Sequence, residues 1–236
     1  MDARVPRKTP VKIDRKQAIL QAAEKLFAQA GYGNVSIRQI AQEAGVPLAL
    51  VGYYYGQKHE LFRAVFAHWE GTITQRLTAL GEVMAQPHSP AKLHRIIEAF
   101  VTPVLSLRAS VEGEHYARMM THSMRSQRDE ATDAMLREYF DPMAQAFIEA
   151  IRATLAVEQP GTTRGQVAWC YQFALGALLN HINDVRVERL SGGANRANDP
   201  AAAPLLVDFI VHGIRGVVQP APAPATPLPA TRRKRP

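Results

Sequence analysis

A single cysteine in 236 residues, Cys170, excludes an internal disulfide, and no Cys/His set has the spacing of a zinc site. A reducing compartment suits such a chain, so a cytoplasmic protein is expected. Long apolar runs are also missing. The longest nearly apolar stretch, 167–179, is interrupted by Gln172 and falls short of the roughly 18 residues that a membrane helix needs. The N-terminal segment is charged but lacks an apolar h-region, so neither an export signal nor a membrane partner is expected. Nor is there a phosphate-cradling glycine loop, a nucleophile elbow or a metal motif. The acidic groups Glu112/Glu114 and Asp129/Glu130/Asp133 have no catalytic spacing and suit exposed helix starts. The expectation is no enzyme, no cofactor and no metal.

What is present is charge in particular places. Residues 1–63 carry ten Lys/Arg against five Asp/Glu, and the last five residues add four more cations. The remaining stretch is slightly acidic, although the whole chain is +7. Basic ends on a non-basic body suit a polyanion-binding head, or equally a solvated surface.

Periodicity is helical almost throughout, and no strand run or internal repeat is found. Ile19, Ala22, Ala23, Leu26, Phe27 and Ala30 share one helix face, with Asp14 as the starting cap and Gly31 as the stop. Ser36 with Gln39 three residues on starts a second helix, and Ile37, Ile40 and Ala41 form its inner face. Gly45 breaks that helix. Pro47 suits the first position of a third, short helix that Gly56 ends. One long helix is then expected from Lys58 to about Met84, and further helices over 91–107, 113–125, 131–155, 163–190 and 205–218. Pro103 and Pro142 should kink or divide two of them.

The fold expected is all-α, with a basic arm (1–13), a three-helix head (14–57), a helical body (58–218) and a Pro/Ala-rich tail with a basic end (219–236). Three short helices, the last two joined by a glycine turn, make the helix-turn-helix pattern, whose third helix enters the DNA major groove. An N-terminal bundle without a DNA role, in a helical small-molecule-binding protein, is the alternative.

The stretch SIRQIAQEAGVPLALVGYYYGQKHELFRAVF (36–66) resembles the N-terminal domain of TetR-type transcriptional regulators. That family's pattern is IA-x-x-AGV, a short helix, an aromatic run, then Gly-x-Lys and a long helix. The resemblance implies a ligand-responsive regulator, commonly a repressor, that binds a double-stranded DNA operator as a homodimer. It makes Pro47 to Tyr53 the recognition helix. It also puts Tyr53 and Lys58 where the family touches backbone phosphate. Ser36 and Arg38 fall at the second helix's N-terminus, a natural phosphate site. Three positions depart from the pattern: Pro47 for Ser or Thr, Gly52 for Tyr or Asn, and Tyr54 for His. Leu48, Ala49 and Leu50 offer bases no hydrogen bonds. Readout then rests on thymine methyl contact and the tyrosines, with Arg38 and Gln39 as candidates for base edges.

In the body, Trp69, Phe100, Val104, Tyr116, Met119, Met120, Phe140, Trp169 and Phe173 are candidates to line an apolar effector cavity, or else plain core. Arg118, Arg125 and histidines are the polar neighbours noticed there. The expected effector is a small hydrophobic molecule, with an acidic or hydroxyl group allowed. Apolar stripes on 163–190 and 205–218 suggest the dimer surface.

Overall fold

The structure, a computed structural model, describes residues 14–107, 110–125, 130–197 and 199–218. The basic arm and the Pro/Ala tail lie outside them. All regular structure among the described residues is helical.

Helix α1 (Arg15–Ala30) starts where Asp14 accepts hydrogen bonds from the backbone N–H groups of Lys16 and Gln17. It ends at Gly31, whose φ of 77° is open to glycine. Helix α2 (Ile37–Glu43) opens on a reciprocal capping box. The Gln39 N–H donates to Ser36 Oγ, and the Ser36 N–H donates to Gln39 Oε1 at 2.8 Å. Its end is a Schellman turn, in which Val46 N–H reaches Ala41 O at 3.0 Å, Gly45 N–H reaches Gln42 O, and Gly45 has φ 65°. Helix α3 (Leu48–Tyr55) follows, with Pro47 one place earlier than expected, as its N-cap. Pro47 has extended ψ, and its missing N–H is no loss there.

Helix α4 (Lys58–His68) packs on α1, and Phe62 sets its ring edge against both Phe27 and Phe66. The fourth helix was expected to run on to Met84. It stops at Trp69 (φ −101°, ψ 7°), and α5 (Glu70–Ala85) restarts there. Hydrogen bonding explains the break. The Trp69 indole N–H donates to Glu24 Oε2 of α1 at 3.1 Å, its ring stacks on Tyr116 at 5.1 Å, and the Thr72 hydroxyl donates to Trp69 O at the break.

The body continues with α6 (Lys92–Leu107), α7 (Val111–Arg125) and α8 (Glu130–Met135). A π-helical turn, Leu136–Phe140, then leads into α9 (Asp141–Glu158). Pro142 sits in the first turn of α9 and divides the expected helix. Pro103 stays inside a continuous α6. The helix expected over 163–190 also divides. Helix α10 (Arg164–Asn183) ends at Asp184, which binds Arg186 through both backbone and side chain, and α11 (Val187–Leu190) is a single turn. Helix α12 (Ala203–Val218) lays Val207, Ile210, Val211, Ile214 and Val218 against α6 and α10. With the preceding turn, Pro200–Val218 is long and apolar enough to cross a membrane, by length and composition only. Its inner stripe packs on the body, and its other face is exposed.

Glu24 is the sole buried acid between α1 and the body among the described residues. Burial pushes its carboxyl up from 4.5 to about 7, the Trp69 bond opposes the rise and Glu112 adds to it. The folded chain therefore holds a proton that the unfolded chain releases. This contribution is complete below pH 4.5 and is lost as pH rises through about 7. Glu24→Gln, a mimic of the protonated form, should remove that slope. It should exceed the parent in stability above neutrality by about 1–3 kcal/mol. Urea denaturation across the pH range checks this, and parallel curves for the two proteins would contradict it.

Candidate nucleic-acid interface and the interior of the body

The head is built so that α3 turns one side inward and the other to solvent. Val51 is fully buried, and Ile40 and Ala41 of α2 are buried with it. Ile37 and Val46 are half-buried at the edge of the same core. Pro47, Leu48, Ala49, Gly52 and Tyr53 form the outer side, and Tyr53 is 79% exposed. The Tyr54 ring meets Tyr53 edge to face at 5.2 Å, so the two present a joint aromatic tip. Tyr55 points back, and its hydroxyl donates to Lys16 O at 2.9 Å, tying the end of α3 to the start of α1.

Arg38 is exposed on α2. Gln39 is exposed too, but its Oε1 is taken by Ser36, so the capping box uses donors that the sequence offered to phosphate. Lys58 lies over the Tyr32 ring at 4.2 Å, a cation–π contact that holds the ammonium beside the outer end of α3. The described part of the head has little excess charge. Lys25 is paired with Glu43 and Arg63 with Glu138, while four of the ten cations of 1–63 belong to the arm.

The expected cavity residues divide into two groups. Phe100, Val104, Tyr116, Met119, Met120 and Phe140 are all buried and belong to one continuous core. Trp69 is half-buried at the helix break. Trp169 and Phe173 are not interior at all, being 63% and 59% exposed with their rings stacked at 5.9 Å on the outer side of α10. The expectation for these two is corrected. Their periodicity was that of an apolar helix face, but the inner face is Val167, Cys170, Tyr171 and Ala174.

The main open spaces lie elsewhere. A groove of about 870 Å³ runs between the end of α10, the 184–202 segment and α12. Another of about 300 Å³ lies between α1 and α7, lined by Glu24, Glu43, Glu112 and His115 among others. A third, about 200 Å³, is apolar and sits where Phe173 of α10 faces Phe209, Gly213 and Val217 of α12. No group of three or more potential metal ligands occurs among the described residues.

Sequence reasoning missed the buried charged residues Glu24, Arg76 and Lys92, of which Arg76 lies deepest in the body's aromatic core. Arg118 is exposed and paired with Glu114, whereas Arg76 is only 4% exposed, inside the body. Its position was readable, because Ile73, Arg76 and Leu80 are the i, i+3, i+7 inner face of α5.

The segment 19–65 matches the family of bacterial regulatory proteins of the tetR type, and 98–213 matches the tetracyclin repressor-like C-terminal domain. The chain belongs to the TetR family. It is 27% identical to the HTH-type transcriptional regulator BetI of Brucella anthropi over 202 residues, 86% of this chain and 94% of that one. BetI of Brucella canis is 30% identical over 125 residues, 60% of its length. Among solved structures, NalD of Pseudomonas aeruginosa is 25% identical with a TM-score of 0.54, covering 84% of this chain and 96% of that one. AmtR of Mycobacterium smegmatis is similar in fold, with a TM-score of 0.58 at 19% identity over 89% of each chain. This TetR-family chain is a helix-turn-helix transcriptional regulator and not an enzyme, which sets aside the reading without a DNA role.

The capping box gives the head a local weak point. Ser36→Ala should lower its stability by about 1 kcal/mol, and Ser36→Asp should restore most of that. Chemical denaturation monitored by the tyrosines of α3 measures both, and an unchanged Ser36→Ala midpoint would count against the cap.

Proposed function

We propose that two copies of this chain hold a roughly palindromic duplex operator as a cytoplasmic repressor and leave it when a small, mostly hydrophobic effector enters the body. The observation that carries the reading is the outer face shared by α10 and α12. Trp169, Phe173, Leu205, Phe209 and Val217 are all exposed there, with Gly176 and Gly213 open beside them. So large an apolar face on a soluble regulator fits a second copy, and two such helix pairs make a four-helix interface. NalD, the secondary repressor of a multidrug efflux pump in Pseudomonas aeruginosa, supports the sign of the regulation.

In this reading α3 lies in the major groove. Leu48 and Ala49 meet thymine methyl groups, Pro47 sets the entry angle, and Tyr53 and Tyr54 reach phosphate or base edges. Arg38 and the free amide of Gln39 read bases or phosphate from α2, Ser36 flanks the backbone, and Lys58 leaves the Tyr32 face for phosphate. The interior residues Trp69, Phe100, Val104, Tyr116, Met119, Met120 and Phe140 are the effector-facing set. A ligand among them acts by favouring the state in which the two α3 helices no longer match successive grooves, about 34 Å apart or a multiple of it.

Lys58→Ala should weaken binding to specific and non-specific duplexes alike, reducing the salt slope by about one. Titrations at several salt concentrations on duplex from upstream of the chain's own gene measure it, and an unchanged slope contradicts the phosphate role. Phe209→Arg on the outer face should yield a folded monomer by light scattering, with operator affinity down about a hundredfold or more. A dimer that survives this change, or a monomer that binds with full affinity, overturns the interface.

A further inference from the structure

Among the described residues, the interior of the body holds a cation with no counter-ion. Arg76 of α5 lies 4.5 Å from the Phe100 ring centre and 5.7 Å from that of Phe147. Its Nε is buried without a hydrogen-bond partner, and among the described residues no carboxylate pairs with it. The phenols of Tyr116 and Tyr171 are close enough to act on it electrostatically. Tyr116 Oη approaches the Thr72 side chain but closes no hydrogen bond of good geometry. Burial pulls the guanidinium down to about 10, so it remains charged at neutral pH. Burial likewise pushes the Tyr171 hydroxyl up to about 12, and Tyr116 also upward, so both stay protonated donors.

An uncompensated buried charge is strongly destabilising, and an arginine has no neutral state to retreat into near pH 7. Hydrophobic residues of similar size would serve packing better. The arrangement also has a direction. Phe100 and Phe147 lie at cation–π distance from the guanidinium, and its edge that carries the unpartnered Nε is left for an acceptor. That edge matches two oxygens of a carboxylate. One cation and two neutral phenols balance one negative charge, which disfavours a dianionic phosphate. Phe100, Phe147 and Phe66, whose ring lies 6.0 Å from Tyr116, supply an apolar surround.

We propose that Arg76, assisted by the Tyr116 and Tyr171 hydroxyls, is the carboxylate-recognising residue of the effector site, and that the effector class is a hydrophobic monocarboxylate. This rests on the effector reading above and narrows it. The placement also supplies a route to the head, since Tyr116 stacks on Trp69 and Trp69 bonds Glu24 of α1. A carboxylate that draws Tyr116 toward Arg76 disturbs the joint directly.

The test uses the full-length protein and pairs of probes alike in shape, benzoate with benzamide and octanoate with octanol, together with inorganic phosphate. Thermal melting reads binding without DNA, and operator titration reads release. The carboxylates should raise the melting temperature and weaken operator binding about tenfold or more beyond their neutral partners. Arg76→Met should abolish that preference while keeping the fold, and Arg76→Lys should retain part of it. Equal action of charged and neutral probes on the parent protein overturns the role of Arg76 and leaves the hydrophobic effector standing, a comparison that needs no variant to fold. A preference undiminished in Arg76→Met overturns it too. No response to any organic probe overturns the effector reading as well, and a response to phosphate alone overturns the carboxylate class.

Discussion

The indole of Trp69 sits where the head meets the body. It ends α4, begins α5, donates to Glu24 in the first helix and stacks on Tyr116 in the seventh. A continuous helix through this point would make the head a rigid extension of the body. The break instead joins two helices at an aromatic contact and one hydrogen bond to Glu24, whose carboxyl burial pushes up to about 7. Tyr116 of α7 is linked to Glu24 of α1 through that contact, and the end of α3 is tied to α1 through Tyr55.

Packing around the break is aromatic on both sides. Phe27, Tyr32 and Phe62 make the head's share, and Phe66 bridges to Tyr116, Tyr139 and Phe140 in the body. Edge-to-face rings resist small displacements but have alternative pairings of similar energy, which suits a switch between two states better than a graded response. The π-helical turn Leu136–Phe140 belongs to this region. Its extra residue per turn lets Tyr139 and Phe140 both face Phe66.

Local chemistry made the head legible from sequence. Asp14, Ser36 with Gln39, Gly45 and Gly56 are caps and turns whose meaning is confined to a few residues, and each sits where its side chain or its φ requires. The body was legible as helices but not as surfaces. An apolar stripe says that a face is covered, without saying by what, so Trp169 and Phe173 read as interior although they lie on the outside of α10. The break at Trp69 was hidden for a related reason. Its cause, the Glu24 carboxylate, is 45 residues away along the chain. Arg76 was overlooked because an arginine between apolar neighbours is expected to extend to solvent, whereas this one is held under two phenylalanines.

The outer side of α3 has one more consequence. Leu48 and Ala49 are exposed, and a side chain added at Gly52 would meet no atom within 4 Å. The head's core therefore depends on none of these three, and its turn and caps are supplied by other residues. Within these eight residues folding rests on the inner side and leaves the outer side unconstrained. Such a helix can drift through many surface sequences without passing through an unfolded intermediate, so the chemistry of its outer side can change by single substitutions while the head stays folded.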